Sequence, residues 1–132
     1  MGIEENKRTV LAFLKSFETE TDYSLLCEDV HWWIPGRGKI DLEQFKALQG
    51  KVGDILKTPV YLTIDHVTAE GDRVAVEFRG RAETRAGGLY ENTYHFLYIM
   101  RDGKILEQRE HCDTAYARSI LGAELTEAID AK

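Results

Sequence analysis

Residues 89–113 decide the fold, and they read LYENTYHFLYIMRDGKILEQREHCD. Two long segments, 89–101 and 104–113, flank Asp102-Gly103, a pair suited to the positive φ angles of a tight hairpin turn. Side chains alternate across a strand, so one face of the first segment collects Tyr90, Asn92, Tyr94, Phe96, Tyr98 and Met100. The stretch therefore predicts a long antiparallel hairpin with one apolar, aromatic face that carries hydrogen-bonding tips.

Two further alternating segments precede this hairpin. Val60, Leu62 and Ile64 alternate with polar neighbours, and after the turn residues 70–72 the pattern resumes and runs as far as 86–88, Ala-Gly-Gly. Together with the hairpin they predict a four-stranded antiparallel meander.

The first part of the chain carries helical periodicity instead. Residues 3–19 predict an amphipathic helix, Asp22 caps a short second helix, and residues 30–34 predict a short strand ended by Pro35-Gly36. A third helix spans about 42–56, where Asp41 and Gln44 resemble a capping box, and a short helix over 114–121 follows the meander. The order predicts an α+β fold in which three N-terminal helices pack on a strongly curved antiparallel sheet that forms a cone-shaped pocket.

Composition limits the class of protein. A chain of 132 residues predicts one domain, residues 1–122, with a loosely held tail over 123–132. The net charge of −6 and the lack of a basic stripe argue against nucleic-acid binding. No long apolar run marks a signal peptide or membrane span, so a cytoplasmic protein is expected. Cys27 and Cys112 are isolated and are expected to be reduced and packed.

The segments 90–96 (YENTYHF), 102–105 (DGKI) and 110–114 (EHCDT) resemble the SnoaL-like branch of the nuclear transport factor 2-like superfamily. This superfamily also holds ketosteroid isomerase, scytalone dehydratase and limonene epoxide hydrolase. The resemblance extends over residues 3–121 and implies the cone-shaped fold. It leaves function open, because isomerases, dehydratases, cyclases, hydrolases and non-catalytic binding proteins share this frame.

Comparison with the active-site residues of these relatives shows which of their activities this chain could share. Arg79 and Glu110 match two members of the epoxide-hydrolase constellation, but Arg81 stands where the second aspartate is required, so that site is broken. The general-base position of ketosteroid isomerase falls close to Ile34, so that site is absent as well. Polyketide cyclases of the SnoaL-like branch use an acid near the end of the last strand, which implies either Glu110 or Asp113 here.

The candidate catalytic residues are Glu110 and His31, and the candidate substrate-binding residues are Trp33, Arg79, Asn92, Tyr94 and Phe96. On the last strand Gln108, Glu110 and Cys112 share one face. An inward carboxyl at Glu110 would be desolvated, and its pKa would rise into the range useful for proton transfer unless Arg79 pairs with it. Histidine is a common general acid or base, so His31 could act with Glu110 as an acid/base couple. A purely structural ion pair at Glu110 is the alternative.

Motifs for other chemistries are missing. The chain has no H-E-x-x-H spacing, no glycine-rich phosphate loop and no G-x-S-x-G, so neither a metal nor a cofactor is expected. Two functions follow as hypotheses. One is a cofactor-independent isomerase, dehydratase or cyclase that moves a proton on a small apolar organic substrate. The other is a non-catalytic ligand-binding or dimerisation module, and a homodimer through the outer sheet face, with Thr63, Leu97 and Ile99, is expected in either case.

Overall fold

The computed structural model describes residues 2–122 of the chain. Within this range the helices are α1 (Ile3–Ser16), α2 (Leu42–Ile55) and α3 (Thr114–Leu121). The strands are β1 (Leu26–Ile34), β2 (Gly38–Asp41), β3 (Tyr61–Glu70), β4 (Arg73–Glu83), β5 (Leu89–Arg101) and β6 (Lys104–Cys112). The expected loose tail, 123–132, lies outside the described residues.

The helices form where their local signals place them, with two adjustments. The capping box of α2 is present, since Gln44 N–H donates to Asp41 Oδ1 and Asp41 N–H donates to Gln44 Oε1, both at 2.9 Å. The first helix ends three residues early, because the Ser16 hydroxyl donates to the Phe13 carbonyl and accepts from the Asp22 N–H, which turns the chain. The predicted second helix is only a single 3₁₀ turn, Tyr23–Leu25.

The sheet has the order β2-β1-β6-β5-β4-β3. The predicted antiparallel meander over β3 to β6 is confirmed. The sheet as a whole is mixed, however, because β1 pairs with β6 in parallel, and β2, which the sequence analysis had missed, pairs with β1. Pairing between β1 and β6 joins distant parts of the chain, so no local pattern announces it.

Irregular pairing bends this open sheet. The register shifts between Ile64 and His66 on β3, between Ile99 and Met100 on β5, and between β1 and β6. Such bulges increase local twist and bend the strand that carries them. The β5–β6 hairpin turns at Asp102 and Gly103, whose φ angles of 51° and 78° confirm the predicted tight turn.

The helices cover one face of the sheet, which we call the inner face. Val10, Phe13 and Leu14 of α1 pack with Val74 and Val76 of β4 in the main core, and all five are fully buried. A second, smaller core cluster of Leu56, Ala82, Tyr90 and Leu121 holds α3. Cys27 and Cys112 are both free thiols. Among the described helices, none has the length and apolar character needed to cross a bilayer.

Candidate functional site

Two cavities adjoin each other on the inner face. The first cavity, of about 530 Å³, lies between α2, the loop after α1 and the inner face of β3 to β6. The second cavity, of about 480 Å³, lies between residues 34–37, α2 and α3. Their shared wall is formed by Leu48, Val52, Leu56, Val60, Tyr94 and Glu110. Each volume suits a small organic molecule, and an apolar wall with few polar groups is typical of such sites.

Glu110 is the acidic residue of this wall. It lies opposite Phe96 on β5, and its carboxylate accepts a hydrogen bond of 2.7 Å from Gln108 Nε2. Burial raises the pKa of Glu110 to about 7, and the hydrogen bond from Gln108 opposes that rise. The carboxyl therefore exchanges its proton near neutral pH, where it can act as a general acid or a general base.

Tyr94 brings a hydroxyl group to the same wall. Its ring stacks on Phe78 with centroids 4.8 Å apart, and its hydroxyl lies 2.8 Å from that of Tyr90. Gly80 makes room for this ring, since a Cβ there would lie 3.0 Å from Tyr94 Cε2 and 2.6 Å from Val60 Cγ1. Burial raises the pKa of Tyr94 far above its usual value, so the phenol stays protonated and can donate a hydrogen bond.

A row of polar atoms lies in the core beside Glu110. Trp32, Gln108 and Tyr98 are direct neighbours across β1, β6 and β5, and all three side chains are fully buried. Trp32 Nε1, Gln108 Oε1 and the Tyr98 hydroxyl have no hydrogen-bond partner among the described residues. Because unpartnered buried polar groups cost free energy, this row weakens the core next to the acidic residue.

Arg79 lies on the outer face, away from both cavities. Its guanidinium donates two hydrogen bonds of 3.0 Å to Asp65 on β3, and its side chain is 59% exposed. The alternative in which Arg79 pairs with Glu110 is therefore not realised. The assignment of Arg79 to the pocket is not supported by this geometry, because the alternation along β4 turns it to the opposite face from Phe78.

His31 and Trp33 also lie on the outer face. His31 Nε2 is 3.4 Å from Glu107 Oε2, so its acidic neighbour is Glu107 rather than Glu110. The Trp33 ring lies 4.3 Å below the Arg109 guanidinium. The pocket assignments of His31 and Trp33 are thus not supported. The inward tryptophan is Trp32, and the register shift between β1 and β6 decides which of the alternating side chains points inward.

The remaining candidates keep a place at or behind the wall. Phe96 lines the first cavity. Asn92 is buried behind the wall, where its Nδ2 donates to the Tyr90 hydroxyl at 2.9 Å, so it supports Tyr94 only through that hydroxyl. Asp113 accepts from the Tyr116 N–H at 3.0 Å and caps α3. Of the two acids that the resemblance implied, Glu110 is the one that faces the cavities.

Sequence analysis missed two features of the site. Gln108 was placed on the same strand face as Glu110, but the hydrogen bond between them depends on side-chain conformation and has no sequence signature. Lys57 and Arg85, which line the first cavity, come from loops whose position only the fold determines. Within residues 2–122, no group of three or more His, Cys, Asp or Glu side chains could hold a metal ion.

The described helices and the open mixed sheet have the NTF2-like fold. The chain belongs to the SnoaL-like domain family, whose model matches residues 11–108. No curated protein matches it significantly in sequence.

Similar solved structures share the fold over most of the chain. A candidate SnoaL-like polyketide cyclase from Jannaschia sp. CCS1 is 18% identical with a TM-score of 0.77, covering 92% of this chain and 94% of its own. TerC, co-crystallised with polyporic acid, is 22% identical with a TM-score of 0.76, and the alignment covers 89% and 98% of the two chains. Bal32a, from a soil-derived mobile gene cassette, is 27% identical with a TM-score of 0.73, covering 87% and 94%.

Proposed function

We propose that this protein is a cofactor-independent enzyme that moves a proton on a small, largely apolar organic substrate, in an isomerisation, dehydration or cyclisation. Glu110 is the general acid/base, Tyr94 donates a hydrogen bond to a substrate oxygen, and Phe96 packs against the apolar body. One observation carries the proposal: a carboxyl with a pKa of about 7 lies on the wall that both cavities share.

The chemistry follows from the two protonation states of Glu110. The ionised carboxylate can remove a proton from a carbon next to a substrate carbonyl, while the Tyr94 O–H donates to the oxygen on which charge develops. The carboxylic acid formed can return that proton to another carbon, which is isomerisation, or to a departing hydroxyl group, which is dehydration. Attack of the carbanion on a second carbonyl carbon of the same molecule would instead close a ring, and the oxygen of that carbonyl would then take the proton from Glu110.

Solved relatives support this reaction class. The Jannaschia structure carries the name of a SnoaL-like polyketide cyclase, and TerC was crystallised with polyporic acid. Both are under 25% identical to this chain, so they support a small organic ligand without naming the substrate.

A test can begin without a known substrate. A thermal-shift screen with terpenoid, steroid, aromatic polyketide and epoxide compounds would find ligands, since a ligand at about 100 times its Kd stabilises the fold by roughly 2.7 kcal/mol. Exchange of the ligand's acidic C–H protons in D₂O, followed by NMR, would then report proton abstraction. We expect Glu110→Gln to slow this exchange by at least about 100-fold.

The matched control is Glu91→Gln, which removes the same charge from the exposed face of β5. It should leave the exchange rate unchanged. If the protons of a bound ligand exchange equally fast in wild type and in Glu110→Gln, Glu110 is not the acid/base residue. That result would favour the non-catalytic ligand-binding module, in which the hydrogen bonds of Tyr90 with Tyr94 and Asn92 have only a structural role.

We also propose that two copies pair through the outer sheet face. Leu97 and Ile99 of β5 are half-buried there although none of the described helices covers them, and Thr63 is exposed on the same face at β3. Half-covered apolar side chains on a broad face favour a self-complementary contact. Light scattering at micromolar concentration should give the mass of a dimer, and a monomer mass at all concentrations would contradict the proposal.

A further inference from the structure

The two cavities have a charge balance opposite to that of the chain. The whole sequence has 23 acidic and 17 basic residues. The residues that line the cavities include four basic side chains, Lys57, Arg85, Arg37 and Arg118, and Glu110 as the acidic one. A positive rim on an acidic protein is a local field that attracts anions to this opening.

Two of these cations, Lys57 and Arg85, line the first cavity from adjoining backbone segments, residues 55–57 and 83–85. Leu56 and Thr84 form an isolated antiparallel bridge, and the residues that follow them are Lys57 and Arg85. Backbone hydrogen bonds of 2.7 Å from Lys57 N–H to the Glu83 carbonyl and of 2.9 Å from Arg85 N–H to the Ile55 carbonyl hold the two segments together. The pair is therefore anchored on backbone that the fold keeps in register.

The side chain of Arg85 is held in place by α2. Its Nε and Nη2 atoms donate to the Gly53 carbonyl at 3.2 and 3.1 Å. The partial negative charge at the carbonyl end of the helix offsets only part of the full positive charge of the guanidinium. No carboxylate forms an ion pair with Lys57 or Arg85 in the part of the chain that the structure describes. A preorganised cation without a counterion is available to a ligand.

We propose that the ligand of this pocket is an organic anion, an apolar ring system bearing a carboxylate that lies between Lys57 and Arg85 while its body reaches Glu110 in the first cavity. This assignment rests on the proposed function for the location of the ligand, and it adds the ligand's charge and orientation. The apolar wall binds the rings, and the rim cations select the anionic member among molecules of the same shape.

The test compares acids with their neutral esters. Binding of 2-naphthoate and biphenyl-4-carboxylate, and of the two methyl esters, is measured at pH 7 by calorimetry. We expect each acid to bind more tightly than its ester, and we expect added salt to weaken the acids alone. Lys57→Gln should weaken the acids by about three- to five-fold, as expected for a partly exposed ion pair, without changing the esters.

Two further variants, Lys51→Gln and Arg118→Gln, show whether the effect is specific to Lys57. Lys51→Gln removes the same charge from an exposed position of α2 that lines neither cavity, so acid binding should be unchanged. Arg118→Gln removes a rim cation of the second cavity and tests the location of the carboxylate, so it should weaken the acids less than Lys57→Gln does. A loss of acid binding in Arg118→Gln with none in Lys57→Gln would overturn the placement of the anion.

Failure of this inference differs from failure of the proposed function. Esters that bind as tightly as their acids, or acids that fail to bind at millimolar concentration, would overturn the anionic ligand even if Glu110 moved protons on a neutral compound. Acids that bind through Lys57 but show no Glu110-dependent proton exchange would leave the ligand class standing and reject the catalytic role.

Discussion

Glu110→Gln should stabilise the protein, and the gain should depend on pH. In the folded state the pKa of Glu110 is about 7, against a usual value of 4.5. At low pH Glu110 is protonated in both the folded and the unfolded protein, so its burial as a charge costs nothing. As pH rises from 4.5 to 7 the unfolded chain ionises first, and the free energy of unfolding falls. A rise of about 2.5 pKa units corresponds to roughly 3 kcal/mol at pH 8, and to only about 0.8 kcal/mol at pH 5.

Glutamine keeps the shape and can still accept the hydrogen bond from Gln108, but it has no charge to bury. The stability of Glu110→Gln relative to wild type should therefore grow by about 2.5 kcal/mol between pH 5 and pH 8. Urea unfolding followed by circular dichroism at both pH values measures this difference, and titrations elsewhere in the chain cancel between the two proteins.

The control for this experiment is again Glu91→Gln, whose stability difference from wild type should not grow with pH. If the free energy of unfolding of Glu110→Gln differed from that of wild type by the same amount at pH 5 and pH 8, ionising Glu110 would cost nothing in the folded state. The reasoning from burial to a raised pKa would then be refuted, and with it the main support for proton transfer.

Two further changes test the wall around Glu110. Gln108→Leu removes the hydrogen bond that stabilises the ionised form of Glu110, so the pKa of Glu110, measured by carboxyl-carbon NMR, should be higher than in the wild type. An unchanged or lower pKa would show that this hydrogen bond does not favour the ionised form. Gly80→Ala forces a Cβ against Val60 and Tyr94 and should cost about 1–3 kcal/mol of unfolding free energy, measured by urea titration. A loss below 0.5 kcal/mol would mean that the wall yields without strain.

Local signals were enough for most of the elements. The capping box at Asp41, the turn at Asp102-Gly103 and the alternation along β5 each depend on residues within a few positions of one another, and each is confirmed. Elements that depend on partners far along the chain were missed or misjudged. The parallel pairing of β1 with β6 exists only because α2 and the whole meander return the chain to its first strand. The strand β2 is local, since it pairs with β1 across residues 35–37, but it has only four residues and was missed because Pro35-Gly36 was expected to end the strand.

The candidate site divides along the same line. Alternation along a single strand correctly grouped Gln108 with Glu110 and turned both to the inner face. Alternation could not show which of Trp32 and Trp33 points inward, because a single register shift along β1 exchanges the inner and outer side chains. Nor could it find that Arg79 has Asp65 as its partner, because that carboxylate belongs to the neighbouring strand.

Sequence alone therefore determined the α+β class, the family and the two carboxyls worth testing, Glu110 and Asp113, because periodicity, turn residues and strand alternation depend on neighbouring residues. Tertiary structure alone decided the choice of Glu110 over Asp113, the raised pKa of Glu110 and the pairing of Tyr94 with Tyr90, and it placed Lys57 and Arg85 on the first cavity. Burial, hydrogen bonding and charge proximity are properties of groups brought together in space, and they come into being only when distant segments pack.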